Sequence, residues 1–224
     1  MVETRKQFHE ELDELNADVV HLGALAAEAI HAGTDALLNA DLGAVEQVVA
    51  ADRVLDELTH SIEERTYLLM ARQQPMAIDL RTLVSILRVI HEIERTGDLM
   101  VNVAKATRRL YPNPLEPRVR GLLDRMREQA AVQLGAAIDA FADRDPAKAA
   151  SLPDMDDVMD DLQKDLFRAI FATHSTDEAT IQRAVQVALV GRYFERMADH
   201  AVNVAERVAF MVTGQFRHEE PQAG

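Results

Sequence analysis

The chain has 224 residues, a formal net charge of −14 at neutral pH, and neither cysteine nor tryptophan. This length suits one large domain or two small ones, and the absence of cysteine excludes disulfides and thiolate metal sites. The negative charge argues against nucleic acid as a partner, because binding to it relies largely on Lys and Arg contacts with phosphate.

Three long helices are predicted before residue 111. Apolar residues at helical spacing mark the first over residues 5–38. The second follows a plausible N-cap at Asp41 and runs to about Gln74, where Pro75 ends it, and the third covers 77–110. The low aromatic content, seven Phe and three Tyr, is typical of a helical bundle rather than a β-sandwich.

Three prolines within residues 111–117 predict a linker at the middle of the chain. The helical pattern then starts again. Asp145-Pro146 opens the fifth helix, since proline suits the first position of a helix. We expect the three further helices at residues 118–143, at residues 146–173, and from a cap at Ser175-Thr176-Asp177 to about Thr213. Gly214 ends the last helix, and we expect the polar end of the chain to be frayed.

The third and sixth predicted helices share an eleven-residue pattern. Residues 94–104 are E-R-T-G-D-L-M-V-N-V-A and residues 195–205 are E-R-M-A-D-H-A-V-N-V-A. The earlier helices of the two halves also align, at an offset of 104 instead of 101. Helical periodicity alone does not require the matched Glu, Asp and Asn, so we favour duplication over chance similarity. The sequence therefore predicts an all-α fold of two tandem three-helix bundles, with six helices: residues 1–111, a linker at 112–117, residues 118–213 and a tail at 214–224.

Each half carries two acidic pairs spaced four residues apart, one on its second helix and one on its third. These pairs are Asp52/Asp56, Glu94/Asp98, Asp156/Asp160 and Glu195/Asp199. Acids at this spacing lie above one another on a helix, where they can clasp a cation but repel each other when alone. If the second and third helices of a half pack together, the two pairs converge. Oxygen ligands suit Mg, Ca or Mn, and carboxylate-rich sites also hold iron.

Neighbouring residues extend this hypothesis and supply an alternative to it. Asn102 and Asn203 lie one helical turn beyond the acidic pairs of the third and sixth helices, on the same face. His200 directly follows Asp199 and could reach an ion bound there. The alternative is that Arg95 and Arg196 neutralise the acids in ordinary salt bridges, with no ion present. The residues themselves leave both interpretations open.

Two carboxylate-histidine motifs suggest a different class of protein. Glu28-x-x-His31 and Glu57-x-x-His60 resemble the ligand motif of ferritin-like di-iron proteins. The alternative function is therefore that of a carboxylate-bridged di-iron enzyme. Neither motif recurs in the second half, so we expect His31 and His60 at the surface. The sequence contains no Gly-rich phosphate loop, no G-x-S-x-G and no H-E-x-x-H, and we predict no catalytic residues.

Nothing in the sequence predicts insertion into a membrane. No stretch of 18 or more apolar residues occurs, since Arg88 and His91 interrupt the most apolar candidate. Residues 1–13 are charged and lack the apolar core of a signal peptide. We therefore expect neither a membrane span nor a signal peptide.

The duplicated E-R-x-x-D-x-x-V-N-V-A, with a D-x-x-x-D on the preceding helix, resembles the PhoU family of phosphate-transport accessory regulators. The resemblance covers about residues 5–212, and R-Y-F-E-R-M-A-D-H-A-V-N-V-A-E at 192–206 is especially similar to the family's second-half signature. It implies a cytoplasmic, non-enzymatic regulator that restrains phosphate uptake and the phosphate-starvation response. The implied partners are the ATPase of the phosphate ABC transporter and a membrane sensor histidine kinase, and homodimers are common in the family.

The same resemblance implies divalent or iron-type metal ions on the acidic faces. By motif position, the first ligand candidates are Glu94, Asp98, Glu195 and Asp199, followed by Asp52, Asp56, Asp156 and Asp160. Asn102, Asn203 and His200 are possible additional ligands.

Overall fold

The computed structural model describes residues 2–172 and 177–215, with side chains from residue 5 onward. All regular structure in these residues is α-helical, which confirms the predicted fold class with three long helices in each half. None of the described helices is both long and apolar enough to span a membrane. The helices are α1 (Val2–Leu38), α2 (Leu42–Gln73), α3 (Ile78–Leu110), α4 (Pro117–Asp143), α5 (Pro146–Ala149), α6 (Leu152–Phe171) and α7 (Glu178–Thr213).

Aspartate caps set the starts of several helices. The Asp41 carboxylate accepts hydrogen bonds from the backbone N–H groups of Gly43 and Ala44, at 2.9 and 3.0 Å. Asp145, its equivalent in the second repeat, caps α5 in the same way, and Asp177 caps α7. Each cap satisfies backbone donors that have no partner within the helix, so these boundaries follow from local sequence.

The prediction of one continuous helix over residues 146–173 is wrong. Helix α5 ends at Ala149 and α6 begins at Leu152, with the Ser151 hydroxyl donating to the Lys148 carbonyl at 2.8 Å between them. Pro153 explains the interruption, because its ring clashes with the carbonyl four residues earlier in a continuous helix and is tolerated only in a first turn.

Three predicted features lie outside the described residues. They are the end of the fifth helix at Thr173, the Ser175-Thr176 part of the cap before α7, and the polar tail from residue 216 onward.

Helices α3 and α7, which are equivalent in the two repeats, pack against each other at the centre of the molecule. Around this pair, α1 and α2 pack on α3, α4 and α6 pack on α7, and α1 also packs on α4. Most buried apolar side chains form one hydrophobic core that extends through both repeats. A second, smaller cluster lies in the first repeat and contains Ala36, Val45, Val48 and Ala104. Leu80, near the start of α3, is 39% exposed and lies outside both the core and this cluster.

The contact between α1 and α4 depends on Gly23. A Cβ atom at this position would lie 2.6 Å from Ile138 Cγ1 and 2.8 Å from its Cδ1, and a β-branched side chain has little freedom to move aside. We expect Gly23→Ala to lower the free energy of unfolding by about 1 kcal/mol, because overpacking outweighs the gain in helix propensity. Urea denaturation measures this change.

Gly121→Ala is the matched control, since a Cβ atom there meets nothing within 4 Å. It should raise the free energy of unfolding by up to about 1 kcal/mol through helix propensity alone. Equal effects of the two substitutions would mean that α1 and α4 are not closely packed at Gly23.

Candidate acidic site

Helices α2 and α3 bring the four predicted acids of the first repeat together. Asp52 on α2 and Glu94 on α3 are partly buried, whereas Asp56 and Asp98 are exposed. Burial, followed by the negative charges of Asp56, Asp98 and Glu94, raises the pKa of Asp52 to about 6. The four carboxylates therefore form one electrostatically coupled group, called here the first acidic cluster.

The approach of the two helices at this cluster depends on Gly97 of α3. A Cβ atom added to Gly97 would lie 3.2 Å from an Asp52 carboxylate oxygen and 3.1 Å from Leu55 Cδ1. The glycine therefore leaves room for Asp52 beside the backbone of α3. The motif spacing places Gly97 between Glu94 and Asp98, so the same helical turn supplies both the acids and the space.

The second repeat forms a corresponding group from Asp156, Asp160 and Asp199, called here the second acidic cluster. Burial is the main cause of the raised pKa of Asp156, and the charges of Asp199 and Asp160 add to it. The Gln133 amide of α4 donates to Asp156 Oδ1 at 3.4 Å and partly offsets that rise. Burial also raises the pKa of Asp199.

The motif glutamates have cationic partners that sequence analysis did not identify. His91 Nδ1 lies 3.4 Å from Glu94 Oε2, and the Arg192 guanidinium forms an ion pair with Glu195. His91 and Arg192 occupy equivalent positions, three residues before each glutamate, so comparison of the repeats could have revealed them. In the first repeat this counter-charge depends on protonation of the imidazole, whereas in the second it is permanent.

Within the described residues, neither Arg95 nor Arg196 forms a salt bridge with a motif acid, and their charges act only as minor influences on the pKa values. Burial and then Asp98 raise the pKa of Glu94, and Arg95 opposes this rise less than His91 does. Arg196 similarly makes only a small opposing contribution at Asp199. The close neutralising contacts to the motif glutamates come from His91 and Arg192 instead.

His200 and Asn203 contact the other repeat across the α3–α7 interface. His200 is 4% exposed, with its Nδ1 3.2 Å from the Glu92 carbonyl and 3.4 Å from a Glu92 carboxylate oxygen. The Asn203 amide donates to the same carboxylate at 3.2 Å. Burial lowers the pKa of His200. Asn102, the repeat equivalent of Asn203, is exposed.

Sequence analysis missed Glu92, which accepts both of these contacts. Its equivalent in the second repeat is Tyr193, so a search for repeated acids passes over it. The signal would have been an acid on the buried side of an apolar helix, which requires a polar partner.

The donor set suits a hard cation, because carboxylate oxygens dominate both clusters. Within residues 2–172 and 177–215, however, no three His, Asp or Glu side chains are arranged to hold one metal ion. Asp56 and Asp98 are exposed, so packing does not fix their rotamers. Metal ligation by the four acidic pairs therefore stays a prediction.

His31 and His60 are both exposed, as predicted. They do not face a core of converging ligands, which the ferritin-like alternative requires.

The partly buried carboxylate of Asp52 should make stability depend on pH. Its pKa is raised in the folded protein, so the folded state retains the proton more strongly than the unfolded chain. This contribution to stability is complete below about pH 4 and is lost as the pH rises toward about 6. Asp52→Asn should therefore raise the free energy of unfolding at pH 7.5, by about 1 kcal/mol after allowance for solvent screening, and change it little at pH 4.

Urea denaturation at the two pH values measures the Asp52 effect. Asp157→Asn, at an exposed aspartate of α6, is the control and should show no comparable gain at pH 7.5. A gain for Asp52→Asn that is the same at both pH values would contradict the proposed cause.

Comparison with known proteins identifies the same repeats. The family model described as the PhoU domain matches residues 19–107 and again 123–208. These two matches fall on the first and second repeats and contain all eight predicted acidic ligands.

Relatives and solved structures match almost the whole chain. The phosphate-specific transport system accessory protein PhoU homolog 1 of Mycobacterium tuberculosis is 39% identical over 217 residues, covering 96% of this chain and 97% of the relative. The corresponding homolog of Rhizobium meliloti is 32% identical over 96% of this chain and 91% of its own length. The crystal structure of PhoU from Pseudomonas aeruginosa superposes with a TM-score of 0.86 at 30% identity, covering 93% of this chain and all of that one.

Proposed function

Because the chain belongs to the PhoU family, we propose that it is an accessory regulator of phosphate transport without catalytic activity of its own. The observation that carries this proposal is the match of the family model to both repeats. Relatives that cover nearly the full length are named as accessory proteins of the phosphate-specific transport system. The three-helix repeats and their acidic clusters are then parts of a protein that acts by binding.

The finer proposal is a cytoplasmic adaptor that represses phosphate uptake and the phosphate-starvation response when phosphate is plentiful. Its partners are the ATPase of the phosphate ABC transporter and a membrane sensor histidine kinase, and it acts as a homodimer. An adaptor can shift each partner only if it binds one of that partner's states more tightly than the other. The net charge of −14 favours basic surfaces on those partners.

Metal ions on the acidic clusters are a further part of the proposal. In the first acidic cluster, Asp52, Asp56, Glu94 and Asp98 supply the oxygen ligands. In the second acidic cluster, Asp156, Asp160 and Asp199 do so, and Glu195 of the same motif is the fourth ligand. Burial and then repulsion among the acids raise the pKa of Asp52. A bound cation would offset that repulsion and would tie α2 to α3.

A test of the metal uses the metal-free protein at pH 7.5. Millimolar Mn²⁺ should raise the thermal midpoint of the wild type and should raise that of Asp52→Asn/Asp98→Asn much less, because two ligands are lost. Differential scanning calorimetry measures the midpoints. An equal rise in the two proteins would count against metal at the first acidic cluster.

The decisive experiment for the adaptor is a crosslinked pull-down from phosphate-replete cells, followed by mass spectrometry. We expect the transporter ATPase or the sensor kinase among the captured proteins, and neither with an unrelated acidic helical bait. If the folded bait captures neither partner, the adaptor proposal fails. The ferritin-like alternative has no observation in its favour, since His31 and His60 are exposed.

A further inference from the structure

A cleft opens on the first repeat between α1, α2 and α3, with a cavity volume of about 360 Å³. Its charged lining residues are all acidic, namely Glu28, Asp35 and Asp52. Arg127 of α4 already pairs with Asp35 at 2.7 Å. The Glu28 and Asp52 carboxylates have no hydrogen-bond or ion-pair partner within the described part of the chain. Small and aliphatic side chains form the walls, chiefly Leu25, Ala29, Ala51, Leu55, Gly97 and Val101.

The second repeat fills the equivalent space with its own side chains. At an offset of 104, Gln133 stands in the position of Ala29 and Met155 in the position of Ala51. Gln133 is fully buried, and Met155 packs against the hydrophobic core. The cleft of the first repeat therefore exists because two alanines replace two long side chains.

In the second repeat, a side-chain amide supplies the hydrogen-bond donor that the cleft of the first repeat lacks. The Gln133 amide donates to the Asp156 carboxylate at 3.4 Å, and Asp156 is the repeat equivalent of Asp52. Asp52 lines the same cleft as Ala29, which has no amide to donate, and the amide of Gln47, also among the described residues of the lining, forms no hydrogen bond with Asp52. An N–H donor carried on an apolar stem, reaching Asp52 from outside the chain, would reproduce the arrangement of the second repeat.

We propose that this cleft binds a small organic cation, with its ammonium group against Asp52 and its hydrocarbon body between α1 and α2. Charge-assisted hydrogen bonds from N–H to carboxylate are the strong ones, and the apolar walls favour a hydrocarbon body. The acidic rim disfavours anions. This ligand site goes beyond the proposed function and requires neither transporter nor kinase. It shares Asp52 with the proposed metal site, so the organic cation and the metal ion compete for that carboxylate.

Hexylammonium is a suitable probe, titrated into metal-free protein while the methyl NMR signals of Leu25, Leu55 and Val101 are followed. We expect saturable shifts of these signals in the wild type. Ala29→Gln/Ala51→Met, which installs the side chains of the second repeat, should weaken binding at least about tenfold. Asp52→Asn should weaken it to a similar extent, because a hydrogen bond to a charged group is lost.

Two controls separate this site from the acidic cluster as a whole. Asp56→Asn removes an exposed carboxylate that does not line the cleft, and should change affinity by less than about threefold. 1-Hexanol, with the same body but no charge, should bind at least about tenfold more weakly than hexylammonium.

Three results would overturn the proposal. They are equal binding of hexanol and hexylammonium, equal hexylammonium affinity in the wild type and the filled variant, or equal loss of affinity in Asp52→Asn and Asp56→Asn. Asp52→Asn is isosteric, so it tests the site even if the filled variant is unstable. The pull-down of transporter and kinase proceeds independently, so failure of either proposal is distinguishable from failure of the other.

Discussion

Replacing Phe194 with alanine should lower the free energy of unfolding by about 3–5 kcal/mol. Phe194 of α7 is fully buried in the hydrophobic core and is among the largest fully buried side chains of the described residues. Truncation removes its transfer free energy and leaves a cavity, because a packed core relaxes only partly. Urea denaturation measures the loss of stability.

Phe171→Ala makes the same chemical change at a position that is 73% exposed. It should alter the free energy of unfolding by no more than about 0.5 kcal/mol. A loss below about 1 kcal/mol for Phe194→Ala, or equal losses for the two variants, would contradict the packing described for α7.

Replacing Glu94 and Asp98 together with alanine should derepress the phosphate-starvation genes in phosphate-replete cells. Under the proposed function, these two acids supply the α3 side of the first acidic cluster. Burial and mutual repulsion raise the pKa of Glu94, so removing the pair relieves unfavourable charge and leaves the fold intact. A transcriptional reporter measures the response, and immunoblotting confirms that the protein remains at its normal level.

Asp157→Ala/Asp161→Ala is the matched control for this double substitution. These aspartates have the same spacing, are exposed on α6, and carry the same net charge as the pair they are compared with. We expect repression to persist in the control. If repression also persists in the Glu94/Asp98 variant at normal protein levels, that pair has no regulatory role.

Local signals allowed most of the helices to be predicted. The Asp41 and Asp145 caps, the prolines of the linker and the helical spacing of apolar residues each act within a few residues of the boundary that they set. The acidic pairs were predictable for the same reason, because a four-residue spacing places two side chains on one face of a helix. The break before Pro153 is also a local signal, because proline is tolerated only in the first turn of a helix.

Contacts between distant segments could not be predicted in this way. The pairing of α3 with α7 makes Glu92 a buried partner of His200, although more than one hundred residues separate them. Gln133 likewise looks unremarkable in sequence, and its role is visible only beside Asp156. The cleft near Ala29 depends on small side chains on α1 and α2 together, at Ala29 and Ala51, and no single periodic pattern records that combination.

The packing of α3 on α7 is what a symmetric dimer of a one-repeat ancestor would have formed, because the two helices are equivalent. In such a dimer, every contact away from the two-fold axis occurs twice, because residue i of each subunit contacts residue j of the other. Here the Glu92–His200 contact occurs once, since its mirror positions hold Tyr193 and Leu99. Joining two copies in one chain ended the requirement that the interface match itself. Each half was then free to specialise, and the association no longer depended on protein concentration.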